Sequence, residues 1–547
     1  MLLDIKDSGK GNVADVTGEH TAGTLVTVDT VYVNKSPVWK RYMFEVYITV
    51  LPNNKIDMTL TGATTVKVID VTTSVESDLG HTNSIAASSI ERKYKLIQDS
   101  SITGLKFITP GIKSFRASSL GGIVVLDDFL NGMNTVTTIT FDRLSGIEKV
   151  TSMNRAFKDC VGITETPEIY APLCSGFEET FKGCILISRL NPGQFGMNSN
   201  AKGMFEGCTS LQHLAIIDFS FVSDASFMFK GTNLDRIDNM NLSSTTTLES
   251  TFEGIPGITE IYLKVSSKLT TIKNMCRGLQ NLTRFTATGP TNPINAETSF
   301  EACPNLLHVN INAHMTNGHR AFADCPQLLQ AFVALPELVN GEEMFLNGTR
   351  INIGVFNKGG PLKLVNAKRM FKGCAVNFTN NELVMPLVED LTECFNGANF
   401  RIIEKFSAPS CKTAKACFKN ARIQQAQHFD FGTACVDMSE CFMGNDLMGI
   451  PPVIASTAAN KDFTSMFEGC AAFPVVNKKY DTANGLKFDK MFKGCAAARC
   501  LDKINTTKTG ATKVDMFAGT AFMNPTAAEI TEITSTAGKN YINANVC

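Results

Sequence analysis

A five-residue tag, Met-Phe-Lys/Glu-Gly-Cys, recurs along this chain and limits what it can fold into. It stands as Met204-Phe205-Glu206-Gly207-Cys208, Met370-Phe371-Lys372-Gly373-Cys374, Met466-Phe467-Glu468-Gly469-Cys470 and Met491-Phe492-Lys493-Gly494-Cys495. Degenerate copies put an anchor aromatic at Phe129, Phe157, Phe181, Phe229, Phe252, Phe300, Phe322, Phe345, Phe395, Phe418, Phe442 and Phe517, while Cys276 takes that place in its own copy. Seventeen anchors between residues 129 and 517 give a mean period of about 24 residues, within the periods that mark stacked repeat architectures. A unit this short cannot bury an apolar face alone, so the units must stack into one continuous core.

Within each unit the pattern changes character. Five or six residues after the anchor an apolar residue opens a short strand, as in Leu211-x-x-Leu214-x-Ile216, Ile258-x-x-Ile261-x-Leu263 and Leu306-x-x-Val309-x-Ile311, with the alternation of a half-buried strand. Pro172, Pro336, Pro386 and Pro409 fall nine residues before their anchors, where a strand must end. Apolar residues four before the anchor, such as Met153, Leu248 and Phe488, make an i/i+4 pair that suits one helical turn. Each unit therefore reads as strand, turn, short helical turn, turn.

Composition narrows the function classes. The 547 residues are 44% hydrophobic and 19% charged with a net charge of -1, enough apolar material for a large core and no global basic field for nucleic acid or an anionic membrane. Apolar runs such as Ile123–Leu126 are far below the ~18 residues of a membrane span. The start, Met-Leu-Leu-Asp-Ile-Lys-Asp-Ser, has no basic stretch followed by an apolar one, so export by the usual route is not expected.

Seventeen cysteines would suggest disulfides in a small secreted domain, but fifteen follow the repeat. Eight, among them Cys160, Cys184 and Cys208, lie three after the anchor; Cys394, Cys417 and Cys441 lie just before it; Cys174, Cys411 and Cys435 lie seven before it. A small thiol with a weak donor suits a tight interior column, and side chains pointing in parallel make poor disulfides. Reduced, structural thiols are expected, made in the cytoplasm.

The segment Leu211-Gln212-His213-Leu214-Ala215-Ile216-Ile217, followed by Phe221-Val222-Ser223-Asp224-Ala225-Ser226-Phe227-Met228-Phe229-Lys230-Gly231-Thr232, resembles the repeat of the BspA-like leucine-rich repeat surface proteins. The resemblance covers roughly residues 102–523. It implies a right-handed leucine-rich-repeat-type solenoid used for adhesion or recognition on bacterial or protist surfaces, with some copies in phage proteins, and no enzyme.

The ends differ from the repeats. Phe44, Val46, Ile48 and Val50 alternate with polar or small neighbours, the Pro52-Asn53-Asn54-Lys55 turn follows, and Ile56, Met58 and Leu60 alternate again, which predicts a β-hairpin in a small N-terminal β-sandwich over residues 1–75. Trp39, Tyr32, Tyr42 and Tyr47 cluster there, as core or as a docking surface. Residues 76–125 read as linker and N-terminal cap, with Ile102–Ile108 as a first, atypical strand. The solenoid of about 17 coils occupies residues 126–523. Residues 524–547 read as a C-terminal helical cap and tail: Pro525 opens the segment, Gly538 closes it, and Ile530, Ile533 and Ala537 form one stripe.

No catalytic pattern emerges, and no cofactor or metal is expected. Gly9-Lys10-Gly11 lacks the spacing of a phosphate loop. Cys303, His308, His314, His319 and Cys325 match no zinc spacing. The sheet face remains. His213, Arg236, Glu260, Arg284, His308 and Gln330 should form one outward column, with Ala215, Asp238, Tyr262, Thr286, Asn310 and Phe332 in the next. These columns are heterogeneous and of mixed sign, so they suit one specific protein or glycan partner, or a solvated face. Arg236, Glu260, Tyr262, Arg284, His308 and Phe332 are the candidate binding residues, the aromatics as anchors.

The expectation is a non-enzymatic interaction protein, mainly β with short helical turns. It is a virion-associated component, a phage fibre or a tail- or capsid-attached binding protein. Its N-terminal domain would dock on other virion or surface proteins and its solenoid would meet a receptor, with self-association left open. The alternative is a bacterial or protist cell-surface adhesin.

Overall fold

The computed structural model describes residues 44–520 except 63–65, 80–82, 99–101, 144, 195, 197–198, 215–217, 349–362, 375–381, 401, 446–452, 455–460, 473–481, 483 and 499–507. Before residue 44 it describes the strands Val16–Thr17, Thr30–Val33 and Ser36–Lys40. The side chains of Tyr32 and Trp39, all of Tyr42 and the expected C-terminal helix lie outside the described residues. Two compact units are present, residues 1–199 with 215–217, and residues 200–214 with 218–547.

The first unit opens with antiparallel sheets. A six-stranded sheet runs in the order Thr138–Phe141, Ile112–Leu120, Phe44–Val50, Arg92–Gln98, Lys67–Asp70, Glu76–Asp78. Ile56–Thr61 lies in a different sheet, between Gly104–Phe107 and Ser84–Ile85. The expected hairpin is therefore not formed. Its turn is present, with Asn53 at φ 62, but it hands the chain from one sheet to the other. Residues 76–100, expected as linker or cap, supply an inner strand, Arg92–Gln98. There Tyr94, Leu96 and Ile97 are buried, while Lys93 is exposed and Lys95 half-buried. Residues 102–108 likewise pair antiparallel with Ile56–Thr61 and do not start the solenoid. That start is Thr138–Phe141, which adds in parallel to Ile112–Leu120, with Phe107, Phe115 and Phe129 clustered beneath at centroid distances of 5.0–6.2 Å.

The second unit is a stack of parallel coils. Bridges between coils join residues five before successive anchors from Asp224 to Thr512 in twelve steps, which is thirteen coils; the 17 coils expected were for the whole repeat region, and further bridges join Val125, Ser152 and Gly176 in the first unit. Two parallel sheets are described, one built on Ile237–Leu242, Glu260–Val265, Arg284–Thr288, His308–Asn317 and Gln330–Ala334, the other on Glu382–Val384, Ile402–Ser407, Gln425–Asp430 and Val453–Ile454. Inside, ten anchor rings from Phe300 to Phe517 form one column with centroids 5.1–5.8 Å apart and nearly parallel planes, the offset stacking that aromatic quadrupoles favour.

The tag does not form a helical turn. Among the described residues there is no α-helix, only a 3-10 turn at Ile147–Lys149. From Phe157 onward the residues two before and two after the anchor have positive φ, as at Arg369 and Gly373 (53° and 73°); in the first copy Asp128 and Gly132 bracket Leu130, which takes the anchor place expected for Phe129. Each such residue turns its peptide plane, so that alternate N–H groups leave the coil. Glu343, Phe345 and Asn347 donate to the carbonyls of Lys368, Met370 and Lys372 in the next coil, while Met344 and Leu346 donate to carbonyls three residues back. Glycine at the second of these positions carries no steric cost there. Asp324, Asn347 and Asn420 occupy it elsewhere, the other residue types that tolerate this conformation.

Candidate recognition face

Strand register brings the expected columns together. Glu260 pairs with Arg284, Arg284 with His308 and His308 with Gln330; Tyr262 pairs with Thr286, Thr286 with Asn310 and Asn310 with Phe332. Between them Ile261, Leu263, Phe285, Val309 and Ile311 are buried, so period-2 alternation turns the columns outwards. Arg236 and Arg284 are exposed, and Glu260, Tyr262 and His308 half-buried. The side chain of Phe332 lies outside the described residues; its backbone is in Gln330–Ala334.

The members differ in how free they are. Arg236 holds Asp238 on its own strand at 2.7 Å, and that hydrogen bond and charge raise its pKa further. His213 meets Asp235 at 3.1 Å. Among the described residues no side chain pairs with the Arg284 guanidinium. It lies one strand from Glu260 and diagonal to the Tyr262 ring, with Thr286 and Asn310 continuing the polar surface. This patch can accept a carboxylate or hydroxyl beside an aromatic platform. It has no nucleophile–base pair on which to found a reaction.

The repeat cysteines take a structural role. Thiols three after the anchor donate to the anchor carbonyl of the preceding coil: Cys303 to Cys276 at 3.0 Å, Cys325 to Phe300 at 3.0 Å, Cys374 to Phe345 at 2.8 Å and Cys495 to Phe467 at 3.1 Å. Where asparagine replaces cysteine, Asn445 makes the same bond to Phe418 at 2.7 Å. All fifteen described cysteines are buried and unbridged, and burial pushes Cys160, Cys374 and Cys495 up to about 12. Cys303 and Cys325 are thus committed inward while His314 faces out. Among the described residues no group of three or more His, Cys, Asp or Glu could hold a metal.

A further column escaped the sequence reading. Five before the anchor stand Asp224, Thr247, Thr271, Asn295, Asn317, Asn340 and, beyond them, Asp390, Asp437 and Asp462. Their side chains accept the N–H two residues on, for example Ser226 to Asp224 at 2.8 Å and Thr392 to Asp390 at 2.8 Å. This short polar set was visible in the repeat, since Asx and Ser/Thr side chains favour such turns.

Two family models match parts of the chain. The family described as BspA type leucine rich repeat region matches residues 129–245 and 225–329, in six copies. The family described as Mycoplasma protein of unknown function, DUF285, matches residues 412–530. No curated protein matches the chain. Among solved structures, a TLR13–ssRNA13 complex is 11% identical with a TM-score of 0.25, covering 68% of this chain and 55% of that one; the chain spans about half of that protein's length. A leucine rich cell surface protein from Faecalibacterium prausnitzii is 10% identical with a TM-score of 0.20, covering 74% of this chain and 90% of that one. Both overlays are too loose to bear on the face. With tag, period, coil stacking and family match in accord, residues 129–329 of this chain carry BspA-type leucine-rich repeats.

Proposed function

We propose that this chain is a non-enzymatic binding protein that presents the outward columns around Tyr262 and Arg284 to a protein or glycan. The observation that carries the reading is Arg284, exposed and unpaired among the described residues, in register with Glu260 and His308 and beside Tyr262. A column that differs at each coil suits one specific partner better than a repeated ligand, because recognition rests on a few anchors within a complementary surface. Arg236, His308 and Phe332 complete the candidate set. In this reading the antiparallel sheets before the repeats attach the protein to an assembly and the solenoid recognises. Glycan-array and protein-pull-down measurements on the full chain test it. Binding that falls at least tenfold in Tyr262→Ala and Arg284→Ala supports it, and binding unchanged in both sinks it.

The assembly we favour is a virion, with this chain as a fibre or a tail- or capsid-attached component. Fifteen buried, unbridged thiols suit manufacture and assembly in a reducing compartment. Quantitative mass spectrometry of purified particles, envelope and cytosol decides it, a fixed copy number per particle being the expected result. The family match favours a second reading, a cell-surface adhesin, for which labelling of intact cells would mark the chain.

A further inference from the structure

Ten of the fourteen anchor turns of the second unit, from Phe229 to Phe442, carry an order of charge that their core does not need. Between three residues before and two after the anchor, the sign is positive at Lys230, negative at Glu253, positive at Arg277, negative at Glu301, positive at Arg320 and negative at Glu343. It continues positive at Arg369, negative at Glu393, positive at Lys419 and negative at Glu440. Ten consecutive coils alternate. The exception within these rows, Asp324, is held by Arg320 of its own coil at 3.3 Å. Neighbouring rows are joined: Lys230–Glu253 at 2.9 Å, Arg277–Glu301 at 3.0 Å, Arg320–Glu301 at 2.7 Å, Arg369–Glu343 at 2.8 Å, Lys372–Glu393 at 2.8 Å and Lys419–Glu440 at 2.6 Å. Arg320 also binds Glu343, so Arg277, Glu301, Arg320, Glu343 and Arg369 form one unbroken chain of ion pairs across five coils.

From Phe300 onward the anchor column does little to tell one coil from another. Its anchor rings stack with nearly constant geometry from Phe300 to Phe517, the thiol-to-carbonyl bonds repeat, and the backbone bonds between turns are the same at each step. A coil that skipped its neighbour and stacked on the next one would keep most of those contacts. It would also bring two rows of like sign together, at a coil spacing of about 4.8 Å. Exposed ion pairs add little stability singly, but a difference between right and wrong partners is what specificity requires. We propose that the alternating rows set coil register, selecting the correct neighbour during folding and against coils of another copy. This holds whatever the sheet face binds.

The test uses the full chain and two variants. Lys368→Glu, Arg369→Glu and Lys372→Glu together reverse one row, setting it against Glu343 and Glu393; Lys368→Gln, Arg369→Gln and Lys372→Gln only neutralise it. Each is refolded from denaturant at low and high salt, and the monomeric yield and amide exchange at Phe345, Arg369 and Phe371 are measured. The reversal should lower the low-salt monomer yield several-fold and expose those amides, with recovery at high salt, where screening is strong. The neutral variant should stay near the parent values at both salt concentrations. Parent-like refolding of the reversal overturns the proposal. So does a neutral variant as impaired as the reversal, or a reversal that does not fold even at high salt.

Discussion

Phe285 rests its ring edge-on against Phe300, centroids 5.0 Å apart and planes at 68°, in the coil where Cys276 stands in place of a stacked anchor ring. On its other side Phe300 stacks face to face on Phe322. The strand aromatic therefore supports the end of the column where the anchor is missing. The corresponding inward positions in the neighbouring coils are Ile261 and Val309.

This relationship predicts coupling. Cys276→Phe should destabilise by about 1–3 kcal/mol through overpacking against Phe285, and Phe285→Val should lose a few kcal/mol through the space it leaves. The double variant should recover at least 1 kcal/mol relative to the sum. Denaturant titration of the four proteins closes the cycle, and strict additivity would show that the two sites do not share space.

Alkali should act on the thiols. Burial holds Cys160, Cys374 and Cys495 protonated to about 12, whereas an unfolded thiol ionises near 9. The unfolded state thus binds fewer protons between pH 9 and 12, and stability falls as pH rises through that window, by about 1.4 kcal/mol per thiol per pH unit. Thermal melts from pH 8 to 11 should show progressive loss, and thiol reagents at pH 8 should label the fifteen described cysteines only after unfolding.

Acid should act on the paired carboxylates. The Asp142 carboxyl is held below its usual range by hydrogen bonds from Arg116, at 2.8 and 2.9 Å, partly opposed by burial. For Glu393 burial pushes upward, but the hydrogen bond and charge of Lys372 leave it lowered. A lowered carboxylate contributes stability above its ordinary value, near 4, that is lost as pH falls through the lowered one. Asp142→Asn should flatten the decline of Tm below pH 4.5, with an effect at pH 7 of less than about 1 kcal/mol because the pair is part-exposed.

Phe227 has φ 59, a conformation that costs a bulky residue roughly 1–2 kcal/mol. Gly203 and Asn274 hold that place in other coils. Phe227→Asn should raise stability by about 0.5–1 kcal/mol, net of the lost contact with Lys230 at 5.4 Å. Calorimetry would read it as a small rise in Tm.

The stacked coils, the inward thiols and the outward columns were legible because each obeys a short period that side-chain chemistry imposes. The turns were misread for a physical reason. Met153 and Phe157 have the spacing of one helical face, but the left-handed Arg155 between them (φ 55) sends the N–H of Phe157 to Thr180 in the next coil, and arginine gives no warning of that. Gly183 and Gly207, two after their anchors, did carry the signal. The N-terminal hairpin failed differently, since Phe44–Val50 and Ile56–Thr61 each pair with strands beyond residue 83, and local alternation does not encode distant partners. Arg284 was placed by period alone; that it stands unpaired among the described residues required the structure.

In the anchor turns of the second unit, from four residues before the anchor to two after it, the described N–H groups that leave a coil point toward the coil that follows it, from Phe229 donating to Thr251 through to Gly494 donating to Ala518. Neighbouring parallel strands do not behave this way, since their donors alternate between the two sides. Peptide units of about 3.5 D aligned head to tail add as they do along a helix, so the turn stack is an electric dipole directed across the coils, positive toward the higher-numbered end. Stacking therefore has a sense. A further coil can join in line, carbonyls toward donors, whereas two such stacks brought together at like ends would set donors against donors or carbonyls against carbonyls.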